Sequence, residues 1–141
     1  MKLKKYSSLY TAGHRKTLDL FAGDVIVEEK VDGSQFSFGV IEGEIFFRSK
    51  GKQICSIKPD SMFKSGVEEL TSIKGMLPEG VTFRGEYLGK PRHNVLKYDR
   101  TPKYHVIVFD VMAEDGVYLQ RHMKESMCKD IGLEIVPLIF S

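Results

Sequence analysis

The segment 25–39 constrains the fold of this chain more than any other part of the sequence. It reads Val-Ile-Val-Glu-Glu-Lys-Val-Asp-Gly-Ser-Gln-Phe-Ser-Phe-Gly, so two β-strand patterns flank a short polar segment. Lys30 lies in that polar segment, and three carboxylates lie within two positions of it, those of Glu28, Glu29 and Asp32. Because strands on both sides hold this lysine in place, its position indicates more than an ordinary surface lysine.

Strand patterns dominate the rest of the sequence, and helical periodicity interrupts them twice. We predict strands over 24–31, 35–41, 45–49, 81–88, 104–112 and 133–140, and helices over 61–74 and 121–131. The segment 16–21 is also compatible with a helix. This order predicts an α+β fold with mainly antiparallel sheet and two or three helices. No linker or internal repeat divides the sequence, so we expect residues 1–141 to form a single domain.

The helical segments carry their own signals. Asp60 or Ser61 is available as the N-cap of the first helix. In the second helix, Met123, Met127 and Ile131 share one face, which predicts an apolar stripe directed at the core. Gly132 then ends that helix.

The later strands place charged residues in unusual positions. Alternation over 81–88 puts Glu86 on the face opposite the apolar side chains. The strand 104–112 is the most hydrophobic of the chain and is expected in the interior of a sheet, with Asp110 as its one acid. Pro137 predicts that the final strand is an edge or begins there. An apolar last strand with an unpaired edge would invite pairing with a second chain.

Composition excludes several classes of protein. The net charge is +2 from 21 basic and 19 acidic side chains, so any attraction for nucleic acid must come from a local basic surface such as segment 90–103. Cys55 and Cys128 lie far apart without CxxC spacing, which argues against a disulfide framework or a zinc site and favours a reducing, cytoplasmic setting. No apolar run approaches the ~18 to 20 residues of a membrane span, so we expect a soluble protein.

Lys30 is a candidate nucleophile with a specific requirement. A lysine attacks phosphorus only as the neutral amine, and nearby carboxylates favour the ammonium form. If Lys30 is catalytic, then a bound metal ion, other cationic side chains or burial must offset its acidic neighbours. A salt-bridged lysine at a turn is the simpler interpretation of the same residues.

Two more acids and an arginine extend this candidate site. Glu86 and Asp110 occupy strand positions where an apolar residue is easier to accommodate. Together with Lys30 and with Arg48, they form a set that suits binding of a nucleotide and Mg²⁺. Each of them taken singly is also explained by a structural ion pair.

The sequence around these residues resembles a known superfamily. The segment 29–33, Glu-Lys-Val-Asp-Gly, resembles the KxDG motif of the covalent nucleotidyltransferases, which comprise ATP-dependent DNA ligases, RNA ligases and mRNA capping enzymes. Segment 83–89 is similar to their third motif and segment 108–111 to the next one. Arg48 is similar to the arginine that these enzymes place near the nucleotide ribose. The four matches occur in the family's order, which makes them more specific than KxDG alone.

Two features look closest to the phage-type RNA ligase branch. Gln35 follows Lys30 by five positions, where that branch has a polar amide and DNA ligases and capping enzymes usually have arginine. Segment 92–98, Arg-His-Asn-Val-Leu-Lys-Tyr, also looks like that branch.

The resemblance implies a lysyl-adenylate mechanism. Lys30 would attack the α-phosphate of ATP, with Mg²⁺ neutralising the phosphates, and the AMP would then pass to a 5′-phosphate RNA end that a 3′-hydroxyl attacks. By the same resemblance the nucleotide would contact Glu29, Val31, Asp32, Gly33, Gln35, Arg48, Glu86 and Phe109. Of these, Glu29 would lie against adenine, Arg48 and Glu86 against ribose, and Phe109 would stack on the base.

Further roles are implied outside the nucleotide site. Asp110 would face the metal or the nucleic acid. The basic segment before the most hydrophobic strand would contact nucleic acid through Arg92, Lys97 and Arg100.

The sequence also departs from the family pattern. The family continues with a Glu-Gly strand and then a strand with paired lysines, and neither motif occurs within 1–141. The chain therefore resembles the N-terminal two-thirds of a nucleotidyltransferase domain, and we expect weak or absent self-adenylylation. Two alternatives stay open: a non-catalytic or split fragment that binds nucleotide or nucleic acid or pairs with a second chain, and a relative of DNA ligases or capping enzymes.

Overall fold

A computed structural model describes residues 3–7 and 23–140 of the chain. In chain order the elements are β1 (Val27–Glu28), β2 (Ser34–Ile41), β3 (Glu44–Ser49), β4 (Gln53–Ile54), α1 (Lys64–Ser72), β5 (Thr82–Tyr87), β6 (Val106–Met112), α2 (Arg121–Ile131), β7 (Glu134–Ile135) and β8 (Leu138–Phe140). Short 3-10 turns lie at Lys74–Met76 and Lys103–His105. The predicted α+β fold is confirmed, whereas the helix-compatible segment 16–21 lies outside the described residues.

The strands form one large and one small sheet. The large sheet has the order β4-β3-β2-β5-β6-β7 and is antiparallel except for the parallel pair of β6 and β7. The strand predicted to lie inside a sheet is β6, and it is paired on both sides. The small sheet contains β1 and β8 in antiparallel pairing.

The hydrophobic core covers one face of the large sheet. Buried side chains of β2 and β5, including Phe36, Phe38 and Phe83, pack there against α1, which contributes Val67 and Leu70. α2 contributes to the same core through its buried side chains. Removal of these apolar side chains from water stabilises the fold by roughly 1.5 to 3 kcal/mol each. The opposite face of the sheet remains available for polar groups.

The first and last strands differ from their predicted lengths. Only Val27–Glu28 of the predicted strand 24–31 is paired. The predicted final strand divides at Pro137, because proline has no N–H for a ladder, and the Pro137 carbonyl instead accepts a hydrogen bond of 3.0 Å from the N–H of Glu29. β8 pairs with β1 in a two-stranded sheet, so among the described residues the last strand is paired along one edge and, as predicted, has no strand partner along the other.

The first helix is shorter than predicted and begins differently. Its N-cap is Phe63, which has no side-chain capping bond, so the prediction of Asp60 or Ser61 as the cap is wrong. Asp60 instead contributes its carbonyl, which accepts a hydrogen bond from the N–H of Phe63 at 2.9 Å. Burial of the Phe63 side chain, rather than a polar cap, therefore fixes the start of α1.

The second helix has the predicted bounds but buries a different stripe. Met123 is 49 % exposed, whereas Lys124, Cys128 and Ile131 are buried. The buried stripe is displaced by one position because Lys124 is drawn inward by carboxylate and carbonyl acceptors on β1 and β6. Gly132 ends the helix in the left-handed conformation at φ 90°, as predicted.

β6 contains a bulge that the alternation pattern does not reveal. Arg84 of β5 lies opposite Asp110, and the next residue, Gly85, lies opposite Val108. Phe109 is therefore the extra residue of the bulge. As a result, Phe109 and Asp110 both line the same cavity although they are adjacent in sequence.

The remaining sequence expectations concern cysteines and membranes. Cys55 is exposed and Cys128 is buried, and both are free thiols. Burial raises the pKa of the Cys128 thiol to about 11, which makes it unreactive. Within the described residues, no helix is long and apolar enough to cross a membrane.

Candidate functional site

A cavity of about 660 Å³ lies on the polar side of the large sheet. Its size falls within the range of small-molecule sites. Lys30 and all the residues predicted to contact a nucleotide line this cavity, with the exception of Arg48. Asp110 lines it as well. Residues of the lining that the sequence analysis did not assign are Lys5, Tyr6, Ser7, Glu28, Lys50 and Val136.

Arg48 lies outside the cavity lining. It is paired across the sheet with Ser37 of β2 and with Gln53 of β4, so it stands one strand farther from Lys30 than the lining residues of β2 do. Lys50, two residues later, does line the cavity. Contact of Arg48 with a ribose stays a prediction.

The tight approach of the Lys30 segment to β5 requires a glycine. A Cβ atom at Gly33 would lie 2.5 Å from the carbonyl oxygen of Tyr87 and 3.3 Å from the Cβ of Glu86. The cross-strand pairs that follow are Ser34 with Tyr87 and then Gln35 with Glu86. Gly33 thus allows the polar segment to lie directly against the strand that carries Glu86.

Glu86 and Lys30 are opposite charges that line the same cavity. Burial raises the pKa of the Glu86 carboxyl, whereas the charge of Lys30 and a hydrogen bond from the N–H of Gly33 act in the opposite direction. A raised carboxyl pKa means that the charged form is less stable in the folded chain than in water. Such a desolvated carboxylate is a strong acceptor for hydroxyl groups or for a hydrated cation.

The Asp32 carboxylate is held by the chain itself. Its Oδ2 atom accepts hydrogen bonds of 2.8 Å from the backbone N–H groups of Val95 and Leu96. These bonds, followed by smaller effects that include Asn94 and Lys30, lower the pKa of Asp32. Asp32 therefore lines the cavity while its carboxylate is already bonded to a neighbouring loop.

Glu28 is neutralised by two cations of α2. Its carboxylate accepts hydrogen bonds from Arg121 at 2.7 Å and from Lys124 at 3.1 Å. The side chain of Lys124 is 6 % exposed. One of the three acids around Lys30 is thus compensated. Sequence patterns do not reveal this pairing, because 93 residues separate Glu28 from Arg121.

Other cations also reach the cavity. Lys5 and Lys50 line it together with Lys30. Three lysines thus share the cavity, although the paired lysines of the family pattern do not occur within 1–141. Their positive charge suits a polyphosphate.

Asp110 is bonded to the N-terminal segment. Its Oδ2 atom accepts a hydrogen bond of 2.5 Å from the hydroxyl of Tyr6, and its Oδ1 atom lies 3.7 Å from Nζ of Lys124. Burial is the main cause that raises the pKa of Asp110, and burial also raises that of Tyr6. The Tyr6 ring contacts Phe109 edge-to-face, with centroids 5.1 Å apart. Residues 5–7 of the N-terminal segment thus line the site.

The three basic residues predicted to contact nucleic acid are in different situations. Arg100 forms a bidentate ion pair with Glu134 of β7, so its guanidinium is engaged within the chain. The Arg100 side chain is still 66 % exposed, and its contact with nucleic acid stays a prediction. Arg92 and Lys97 are exposed and lie opposite each other in an isolated antiparallel bridge.

The residues present support only part of a metal site. Among residues 3–7 and 23–140, no group of three or more His, Cys, Asp or Glu side chains could hold a metal ion by itself. Mg²⁺ commonly uses one or two carboxylates together with substrate phosphates and water. Glu86 and Asp110 fit that arrangement, because both are partly desolvated carboxylates on the wall of the cavity.

Comparison with known proteins supplies the family. The RNA ligase family model matches residues 23–141. The chain belongs to the RNA ligase family. No curated protein matches this RNA ligase family member.

Solved structures share its fold. A lysine-to-alanine variant of Naegleria gruberi RNA ligase with ATP and Mn is 14 % identical, with a TM-score of 0.64 over 81 % of this chain and 36 % of that one. The same enzyme with PPi is 14 % identical, with a TM-score of 0.62 over 81 % and 35 %. A lysine-to-methionine variant with AMP and Mn is 15 % identical, with a TM-score of 0.62 over 81 % and 35 %. The chain thus spans about a third of the length of these relatives.

Proposed function

We propose that this chain carries the nucleotide-binding part of an ATP-dependent RNA ligase, with Lys30 as the residue that accepts AMP. The observation that carries the proposal is the shared cavity, in which Lys30, Glu86 and Phe109 meet from three separate parts of the chain. The family match over 23–141 supports the same assignment. The solved relatives with ATP, AMP or PPi share this fold.

The proposed reaction follows from the chemistry of a neutral amine. Nζ of Lys30 attacks the α-phosphorus of ATP, a phosphorus–nitrogen bond forms, and the bond to the pyrophosphate oxygen breaks. The amine proton leaves to solvent. Lys5 and Lys50, which line the cavity, would interact with the negative charge of the phosphates, and Mg²⁺ held by Asp110 would supply further neutralisation there.

The nucleotide base has a defined place in this proposal. Phe109 stands out from β6 at the bulge and presents its ring to the cavity. Stacking of adenine on this ring would leave Glu29 beside the base edge and Glu86 beside the ribose. Val31, Gly33 and Gln35 would complete the wall.

RNA ends are the proposed second substrate. The AMP on Lys30 would pass to a 5′-phosphate, and a 3′-hydroxyl would then displace it. Arg92 and Lys97 are exposed cations suited to phosphates of that RNA. The phage-type branch, indicated by Gln35, belongs to this proposal, as does a single domain over 1–141.

ATP binding tests this proposal without any need for turnover. We expect saturating ATP with Mg²⁺ to raise the melting temperature of the chain by several degrees, because a ligand at about 100 times its Kd adds about 2.7 kcal/mol to stability. Phe109→Leu should weaken ATP binding about tenfold, since it keeps apolar volume and removes the ring. Titration calorimetry measures both affinities.

Matched variants and ligands control this experiment. Phe109→Tyr retains an aromatic ring and should bind ATP with nearly the wild-type affinity. GTP should give a smaller shift than ATP, whereas a preference for GTP would favour a relative of capping enzymes. Equal ATP affinity of the wild type and Phe109→Leu would contradict the proposed position of the base.

A further inference from the structure

The loop 91–98 is fastened to the polar segment that follows Lys30. The carboxylate of Asp32 holds the N–H groups of Val95 and Leu96, each at 2.8 Å. The N–H of Asp32 itself donates to the hydroxyl of Tyr98 at 2.7 Å. One residue of the Lys30 segment thus fixes both the tip and the end of the loop.

A second pair of contacts fixes the start of the loop. Nδ1 of His93 accepts a hydrogen bond of 3.2 Å from the N–H of Gly89. In the neutral ring, Nε2 therefore carries the hydrogen and donates to Oγ of Ser34, at 2.8 Å. Asn94 adds a bond from Nδ2 to the carbonyl oxygen of Gly33 at 2.9 Å. The loop is thereby anchored along its length to residues 32–34.

The anchored loop exposes apolar side chains. Val95 is 74 % exposed and Leu96 is 53 % exposed, although the backbone of both is held by Asp32. Arg92 and Lys97 flank them, opposite each other in the bridge. Neither cation has an ion-pair partner within the described part of the chain. The tip is therefore a small apolar surface between two cations, on a rigid support.

We propose that Val95 and Leu96 pack against an unstacked base near the RNA end, while Arg92 and Lys97 hold the adjoining phosphates. Asp32 acts in this inference as a positioning residue, because it joins the tip of the loop to the segment that carries Lys30. The inference rests on the proposed function and extends it to a contact surface for the polynucleotide.

Charge and position favour RNA over a protein partner. Apolar side chains such as leucine insert between bases in known nucleic-acid complexes, and neighbouring cations then bind the phosphates. Two exposed side chains between cations are too small a surface for a specific protein interface, which needs about 1,000 Å². The tip also adjoins the cavity at which a 5′-phosphate must meet Lys30.

Fluorescence anisotropy with a short 5′-phosphorylated single-stranded RNA tests the inference. We expect Val95→Ser with Leu96→Ser to weaken RNA binding about tenfold, with an unchanged dependence on salt. Arg92→Gln with Lys97→Gln should instead reduce the slope of log K against log salt by roughly 1.4. Val117→Ser is the matched control, because Val117 is 61 % exposed beyond the other end of β6 and should have no effect.

The attachment of the loop to Asp32 can be measured separately. Asp32→Ala should increase amide hydrogen exchange over 93–98 on the order of tenfold, since it removes two bonds to a charged acceptor. Combined with Val95→Ser and Leu96→Ser, it should weaken RNA binding little further than the serine pair alone.

Several results would overturn the inference. One is the absence of RNA binding by the wild type at low salt, and another is an unchanged RNA affinity of the serine pair. A third is self-association of the wild type that light scattering detects and that the serine pair abolishes. The ATP-induced thermal shift separates this failure from failure of the proposed function, because the serine pair lies outside the cavity and should leave that shift intact.

Discussion

Replacing Glu28 by glutamine is expected to lower the free energy of unfolding by about 3 kcal/mol, because it removes the carboxylate shared by the buried ammonium of Lys124 and the half-buried guanidinium of Arg121, which keeps only its pairing with Glu125. The side chains of Arg121 and Lys124 are 11 % and 6 % exposed. Asp110 lies 3.7 Å from Lys124 and still neutralises part of its charge in the variant. The expected loss of stability is therefore at the lower end of the range for a broken buried ion pair. Urea denaturation at neutral pH measures it.

An exposed ion pair of the same chain provides the control. Lys52 and Asp60 form a salt bridge of 3.1 Å, with side chains that are 66 % and 53 % exposed. Asp60→Asn should therefore cost less than about 1 kcal/mol, and added salt should reduce that cost further. If Glu28→Gln were no more destabilising than Asp60→Asn, the pairing of Glu28 with α2 would not stabilise the site.

Replacing Gly33 by alanine is expected to cost about 1 to 3 kcal/mol of stability and to abolish ATP binding. The added Cβ would lie 2.5 Å from a backbone oxygen of β5, and backbone atoms cannot yield as a flexible side chain does. Relief of the clash must move the Lys30 segment away from Glu86. Urea denaturation and titration calorimetry with ATP measure the two effects.

Gly51 offers a matched substitution elsewhere in the chain. A Cβ at Gly51 would meet no atom within 4 Å. Gly51→Ala should therefore leave both stability and ATP affinity nearly unchanged. Wild-type ATP affinity of Gly33→Ala would mean that the close approach of the two strands is not needed for the site.

Local sequence patterns were sufficient for most of the fold. Alternation placed Glu86 opposite the apolar face, and helical period placed α2 at its observed bounds. These features depend on residues near each other in sequence, so a periodic pattern reports them directly. The motif resemblance likewise brought the segment around Lys30 to the same cavity as Phe109.

Features that depend on tertiary contacts were not predictable in this way. The bulge at Phe109 is a change of register between β5 and β6, and alternation within one strand contains no record of it. Asp32 was predicted to contact the nucleotide, but its carboxylate bonds a loop more than 60 residues away. The neutralisation of Glu28 by Arg121 and the place of Tyr6 beside Asp110 also join distant parts of the chain.

Intact-protein mass spectrometry after incubation with ATP and Mg²⁺ tests the role of Lys30 most directly. We predict the addition of one AMP to a minor fraction of the chain, located on Lys30 by peptide mapping. Lys30→Ala should carry no AMP. AMP on another residue, full labelling of Lys30→Ala, or no labelling of the wild type at any pH would contradict this account.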